Sequence, residues 1–393
     1  MKNKEKDLVK IKVFHHNDMD GYASALTFKK IYLNTYIKEY PIDFHPIDYT
    51  VDITPMIGDE PSLLVFLDYS FSNKINIKAV NNATNNYGCK LIWIDHHATS
   101  LKPGVIGSIA SKEAAIYVTP DHSGAYLTWK LFCYYSILNQ RIYPNAKSLD
   151  DFFNKINYII TTHKSNPKGL AGIRGCKNVY SFVKIPEFIR MIDAYDRHDL
   201  SNKYYKDGVV LSQWFFVKVT NLENDIFNSF FKLHSIENPD ELSNRNTFEN
   251  IICTEAATIS QVTQNLNDNF REQYKFEVIV RYHDIDNNIC EASGICCNRQ
   301  MNSIGFSEDY NKYDITIPFF FSGKNNKWQY SMYTRKENIN VGLICGAFGG
   351  GGHPGAAGFV SDRCIFDYLE TTENGIKILD DSLPFMYHLC KSN

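Results

Sequence analysis

The chain has 393 residues, is 44% hydrophobic and carries a formal net charge of −3. Its length suffices for at least one large core and reads more naturally as two domains. The slight acidity excludes a protein that coats long nucleic acid through its overall field, which needs clustered Lys and Arg, so any anionic substrate must be met locally.

The opening Met1 to Lys10 is charged and lacks the apolar centre of a signal peptide, and no later run approaches the ~20 apolar residues needed to span a bilayer. The ten cysteines are scattered, with only Cys296 and Cys297 adjacent and no Cys-x-x-Cys pair. Together these predict reduced thiols, a cytoplasmic location and no membrane partner.

Short apolar runs alternate with amphipathic stretches through the first two hundred residues. Ile11 to His15, Leu63 to Leu67 and Leu91 to Ile94 read as strands; Tyr22 to Tyr32 and Ala125 to Leu138 read as helices. That rhythm of strand and helix predicts an α/β fold, a mostly parallel sheet with flanking helices. Residues 201 to 274 read as irregular segments followed by a helix on which Phe248, Ile251, Ile252, Ala256, Ile259 and Val262 fall at helical spacing. Phe276 to Tyr282, Asp314 to Phe321 and Trp328 to Tyr333 are aromatic and β-branched, separated by Asn and Gly turns, and predict strands of a smaller C-terminal α/β domain. The organisation expected is a catalytic domain over 8–240, a helical linker over 241–275 and a C-terminal substrate-binding domain over 276–393.

Polar residues follow each of the three N-terminal strands directly, and ligands of such sheets collect at strand carboxyl ends. The first cluster is His16-Asn17-Asp18-Met19-Asp20-Gly21. Carboxylates and imidazole without thiolates suit Mn²⁺, Mg²⁺ or Zn²⁺. If strand pairing continues, His16, Asp18 and Asp20 share a face; the alternative is an Asx-rich turn capping the next helix. Asp68 ends the second strand, where a lone acid is more often a helix cap than a ligand. Asp95-His96-His97 end the third, and the two histidines are expected to point to different sides.

In order and placement these motifs resemble the DHH family of phosphoesterases, named for the tripeptide found here at Asp95, His96 and His97. The resemblance implies two divalent cations, Mn²⁺ foremost, bridged by Asp68. It places His16 and Asp18 with Asp68 on one ion and Asp20, Asp68 and His96 on the other, and it turns His97 toward the scissile phosphate as a catalytic residue with Asp68. A further family Asp falls in Ile192-Asp193-Ala194-Tyr195-Asp196-Arg197-His198-Asp199, where Asp196 is favoured and Asp193 is the alternative.

The second signal is Gly349-Gly350-Gly351-Gly352-His353-Pro354-Gly355-Ala356-Ala357-Gly358-Phe359. Consecutive glycine amides can line an anion-sized nest; a glycine run by itself is more often a linker. The segment resembles the Gly-Gly-Gly-His motif of the domain that accompanies DHH catalytic domains, which implies substrate binding by Gly350, Gly351, Gly352 and His353. Ahead of it the family's Ser-Leu-Arg is replaced by Ser331-Met332-Tyr333-Thr334-Arg335, so Tyr333 stands where an Arg is expected and Arg335 is the candidate replacement.

Within the family, the chain is most similar to nano-RNases. The implied activity is hydrolysis of very short single-stranded RNA or dinucleotides to mononucleotides, with a homodimer left open. Alternatives are a phosphatase of 3′-phosphoadenosine 5′-phosphate, a cyclic-dinucleotide phosphodiesterase, or a catalytically inactive nucleotide-binding protein. The last would be marked by loss of metal ligands.

Overall fold

In the computed structural model the chain divides into two compact units, residues 1–257 and 258–393. The structure describes residues 7–33, 39–165 except 50, 72, 103, 110, 112 and 142–145, then 185–219, 222, 251–300, 303–306, 308–365, 369–372, 375–378 and 386–388.

The first unit is built on five parallel strands, β1 (Lys10–His16), β2 (Ile42–Ile47), β3 (Ser62–Leu67), β4 (Lys90–Asp95) and β5 (Ala114–Val118), in the order β2-β1-β3-β4-β5. Helices α1 (Met19–Leu33), α2 (Thr54–Ile57), α3 (Lys74–Asn86), α4 (Val105–Ser108), α5 (Gly124–Arg141), α6 (Leu149–Ser165), α7 (Glu187–Asp196) and α8 (Tyr205–Lys218) complete its described part, with a π-turn at Ile251–Ala256.

Both faces of the sheet are covered, so its central strands read as unbroken apolar runs; all six residues of β3 are buried. Alternation sorts them. Val13, Leu63, Val65 and Ile92 pack with Phe28 of α1, Leu131 of α5 and Phe152 of α6. Phe14, Leu64, Phe66 and Trp93 face Ile57 and Val80 on the other side. In this strand order the chain reverses direction across the sheet between β1 and β3, which opens a crevice at their carboxyl ends.

The second unit starts on α9 (Ala257–Tyr274). Its main sheet has seven strands, β6 (Lys275–His283), β7 (Ile289–Asn298), β8 (Ile315–Ser322), β9 (Lys327–Thr334), β10 (Gly351–Gly352), β11 (Ala356–Ser361) and β14 (Met386–His388), in the order β10-β11-β9-β8-β7-β6-β14. Helix α10 (Val341–Ala347) lays Ile344 and Cys345 into the core with Phe359, Tyr330 and Met332. Strands β12 (Leu369–Thr372) and β13 (Gly375–Ile378) pair separately.

The reading of residues from 201 onward as irregular is corrected at α8. Leu211, Trp214 and Phe215 are buried at one-sided helical spacing, but the exposed Phe216 and Val217 are apolar too, so the stripe that marks a surface helix is blurred in the sequence. Strands β2, β5, β7 and β10 to β14 are likewise additions to the expected set. Of the residues expected at helical spacing, Phe248 lies outside the described residues, and Ile251 to Ala256 form the π-turn ahead of α9.

Candidate metal centre

His16 is the last residue of β1, yet strand pairing does not continue through Asp18 and Asp20 as the alternation reading requires. The chain bends at Asn17 and Asp18, and Asp20 lies in the first turn of α1. Asp18 Oδ1 accepts the Gly21 amide at 2.9 Å, the Asx-type bond that starts the helix, while its Oδ2 lies 2.8 Å from His16 Nδ1. Capping and site geometry coexist in this turn. Gly21 is required here, because a Cβ would stand 2.1 Å from the His16 carbonyl oxygen.

Asp68 caps no helix; the cap of α3 is Asn73. Its φ of 55° puts a non-glycine residue in the left-handed region, which Asp tolerates better than most, and its amide is tied to the Ile94 carbonyl at 2.9 Å. The kink turns a buried carboxylate into the crevice. Asp68 Oδ1 lies 3.0 Å from His96 Nε2, and Oδ2 lies 3.9 Å from His16 Nδ1. Oδ2 is buried without a hydrogen-bond partner among the described residues.

Around His96 Nε2 three carboxylates from three elements converge: Asp68 at 3.0 Å, Asp196 at 3.2 Å and Asp20 at 3.6 Å. One imidazole nitrogen can donate only one hydrogen, so the arrangement leaves negative charge that a cation would satisfy. His16, Asp18 and Asp68 form one group of converging ligand atoms and Asp20, Asp68 and His96 another, with Asp68 common to both. Of the two late acids, Asp196, at the end of α7, joins this cluster. Asp193, one turn earlier, accepts the Ser123 amide at 2.6 Å and lies 3.1 Å from His122 Nδ1.

The electrostatics follow from crowding. Burial, then the charges of Asp20 and Asp18, push the Asp68 and Asp196 carboxyls well above the usual range. Burial, then Asp18, raises Asp20 to about 6. Burial also acts to raise Asp18, but its partner His16 outweighs that and holds it below the ordinary range. Burial lowers the His16 imidazole, and Asp18 outweighs it in turn, leaving it raised. Four crowded acids and two imidazoles with an unsatisfied buried oxygen fit divalent cations with a preference for hard or borderline ligands.

His97 does not point away from His96; the two rings lie 4.7 Å apart at 49°. Its Nδ1 is 2.7 Å from Asp95 Oδ1 and its Nε2 is 2.8 Å from the Tyr49 hydroxyl. Burial, then the Asp68 and Asp95 charges, keep that phenol well above its usual value.

The sequence reading missed Tyr49 and the Ser123-Gly124-Ala125 start of α5. The Gly124 and Ala125 amides donate to Asp20 Oδ2 and Oδ1 at 2.6 and 2.9 Å. A Cβ at Gly124 would sit 2.5 Å from Asp68 Cβ. The signal available in the sequence was a Ser-Gly pair opening a long helix.

In the second unit the glycine run is a tight hairpin. Gly351 and Gly352 pair with Gly358 and Ala357, a Cβ at Gly350 would lie 2.1 Å from the Gly358 carbonyl oxygen, and Gly352 has φ of 146°. Close backbone approach accounts for these glycines. The expected nest is corrected at Gly350, whose amide is spent on the Cys345 carbonyl at 2.9 Å. His353 begins the turn, its amide donating to the Ala356 carbonyl at 2.7 Å. Arg335 is exposed, its guanidinium 4.1 Å from the Tyr310 ring centroid, and Tyr333 pairs with Ala356 of β11.

Residues 10–171 match the DHH family, N-terminal domain. No curated protein matches the chain in sequence. Among solved structures, an uncharacterized protein from Helicobacter pylori is similar at 14% identity and a TM-score of 0.35, over 90% of this chain and 94% of that one. RecJ from Thermus thermophilus, in complex with Mn²⁺, is similar at 14% identity and 0.42, over 90% and 49%. The pGpG-specific phosphodiesterase PggH from Vibrio cholerae is similar at 14% and 0.31, over 89% and 92%. No described helix is long and apolar enough to cross a membrane.

Proposed function

We propose, from the premise that residues 10–171 are the N-terminal domain of a DHH-family phosphoesterase, that this chain hydrolyses phosphodiester bonds in very short oligonucleotides or dinucleotides to give mononucleotides. The observation that carries the reading is the convergence of Asp20, Asp68 and Asp196 on His96 Nε2, with the second oxygen of Asp68 buried and turned toward His16. One carboxylate serving two ligand sets supports a pair of divalent cations, Mn²⁺ foremost.

His16, Asp18 and Asp68 would hold one ion, and Asp20, Asp68, His96 and Asp196 the other. Bound there, the ions supply activation of water and neutralisation of charge on phosphate oxygens. Asp68 acts by sharing its carboxylate, and Asp20 by being fixed through two amides of α5. His97 is the group assigned to the scissile phosphate, with its ring held from both nitrogens. His353 and Arg335, with the Gly351 and Gly352 backbone, are the substrate-binding groups assigned to the second unit. A protein of net charge −3 meets an anion through these local positive centres.

The test is a panel of labelled dinucleotides, five-mers, longer strands, cyclic dinucleotides and 3′-phosphoadenosine 5′-phosphate, each incubated with the purified chain and Mn²⁺. Release of mononucleotides from the shortest linear substrates is expected, lost in chelator and restored by Mn²⁺ better than by Ca²⁺, which prefers more oxygen ligands at longer distances. Preference for the cyclic or monoester substrates would move the assignment to those family activities. Stoichiometric metal without hydrolysis of any substrate would support the nucleotide-binding alternative.

A further inference from the structure

Every hydrogen-bonding position of the His97 ring is taken inside the protein. On one side Asp95, fully buried, has its Oδ1 2.7 Å from Nδ1, and its Oδ2 accepts the Ser100 hydroxyl. Ser100 is backed by Ser70, 2.9 Å away, and Ser70 by Thr99 at 2.6 Å. A carboxylate oxygen at this distance accepts, which places a hydrogen on Nδ1, and in the Nδ1–H tautomer the lone pair lies at Nε2. The group at that lone pair is the Tyr49 hydroxyl, 2.8 Å away.

We propose that Tyr49 is a positioning residue: its hydroxyl donates to His97 Nε2 and, opposite Asp95, fixes the plane of the ring at the edge of the acid cluster. The geometry favours a directed contact over incidental packing. The Tyr49 ring lies against the rings of His16, 4.8 Å away at 37°, and Tyr69, 5.6 Å away at 26°. Tyr69 is held in turn by Asn76, whose amide nitrogen donates to the Tyr69 hydroxyl at 2.8 Å and to the Val51 carbonyl at 2.9 Å. The Asn76 carbonyl oxygen accepts the Ile53 amide. One asparagine thus anchors both the loop after β2 that carries Tyr49 and the ring against which Tyr49 stacks. With two ring contacts and the hydroxyl held, Tyr49 has little freedom, and it passes that constraint to His97. Its consequence for turnover rests on the phosphodiesterase reading, in which the His97 ring lies beside the scissile phosphate with its orientation set by Asp95 and Tyr49.

The test is Tyr49→Phe, which keeps the ring and removes only the oxygen. Nitrogen-15 histidine spectra of the metal-free full chain, with His97 assigned by its loss in His97→Gln, should show the Nδ1–H tautomer in the wild type. In Tyr49→Phe the Nε2 resonance should move toward that of an unbonded, unprotonated nitrogen. Metal content should not change, and the melting temperature should fall by no more than about 1–6 °C, the loss of one hydrogen bond. Turnover of the best linear substrate should fall roughly two- to tenfold in kcat with KM little altered, as expected for one neutral hydrogen bond. A wild-type His97 protonated at Nε2, an Nε2 resonance unmoved by the substitution, or a shifted resonance with unchanged kcat would each overturn the proposal. A wild-type chain that hydrolyses nothing in the panel sinks the functional reading instead, while the nitrogen spectrum still decides the Tyr49–His97 bond.

Discussion

Stripping the metal should make the stability of the first unit fall as pH rises, opposite to the behaviour of a protein whose carboxylates are paired. In the metal-free chain Asp20 titrates at about 6 because it is buried and lies beside Asp18. An acid that holds its proton more tightly folded than unfolded makes the folded state bind more protons, so stability present below about pH 4 is lost as pH rises through 6. The displacement, about two units at ~1.4 kcal/mol each, corresponds to about 3 kcal/mol for Asp20 alone. Of that, about 1.4 kcal/mol, the unit between pH 5 and 6, falls inside the range from pH 5 to 8, which is roughly 3–6 °C in melting temperature for a domain of this size. Asp68 and Asp196 shift in the same direction. So does the contribution of His16: held above its ordinary value, it is fully present below about 6.5 and lost above. Asp18, held low, adds stability that only strong acid removes. The assay is a melting curve of chelator-treated protein from pH 5 to 8, repeated with excess Mn²⁺. The metal-free melting temperature should fall across that range and the metal should remove most of the fall, stabilising far more at pH 8 than at pH 5. A metal-free curve that is flat or rises, or a metal effect of equal size at both ends, would refute the crowded-acid account.

Asp68→Asn, chosen because Asn tolerates the left-handed backbone at this position, should leave the fold intact and cost both ions. Since loss of a mere outer-sphere partner costs 10–100-fold, hydrolysis should fall by more than about two orders of magnitude; near-normal turnover with two ions bound would contradict the shared role. Gly124→Ala, whose Cβ would meet Asp68 Cβ at 2.5 Å, should destabilise the fold by about 1–3 kcal/mol and weaken metal binding, as calorimetric titration would show. His353→Ala should weaken binding of a short oligonucleotide by about one to two orders of magnitude, the range for loss of a hydrogen bond to a charged group, with metal content unchanged. Depletion of metal in that variant would place His353 in the catalytic centre.

The strand ends were legible because β3 and β4 are apolar through their middles and β1 nearly so, Lys12 apart, and His16, Asp68 and His96 stand out directly at or after their carboxyl edges. Strand β2 was not, since Ile42-Asp43-Phe44-His45-Pro46-Ile47 is partly exposed and mixes polar side chains along its length. Helix α8 was missed because the apolar Phe216 and Val217 on its exposed side blur the stripe made by Leu211, Trp214 and Phe215. Choosing between Asp193 and Asp196 needed the fold: they lie one helical turn apart, and only the placement of α7 against α5 sends one to His96 and the other to Ser123. The glycine run was legible as a packed motif but not as a hairpin, because sequence cannot distinguish glycines that cradle an anion from glycines that admit a neighbouring strand.

The N-terminus of α5 explains how the acid cluster is kept in register with no lysine or arginine at its centre among the described residues. A helix of 18 residues presents free amides and a partial positive charge at its start, and that end is occupied by the protein's own carboxylates. Asp20 of α1 takes the Gly124 and Ala125 amides, and Asp193 of α7 takes the Ser123 amide. Two elements that carry site acids are thereby pinned to one helix end. An arginine would neutralise the cluster and compete with a cation; amides orient Asp20 while each of its oxygens keeps a lone pair for a ligand. Pinning Asp193 fixes α7, and fixing α7 places Asp196 three residues on at His96. The small residues Ser123 and Gly124 are what let both carboxylates reach the helix end, since a side chain at Gly124 would occupy the space of Asp68. The site therefore depends on the absence of a side chain at Gly124 as directly as on the acids themselves.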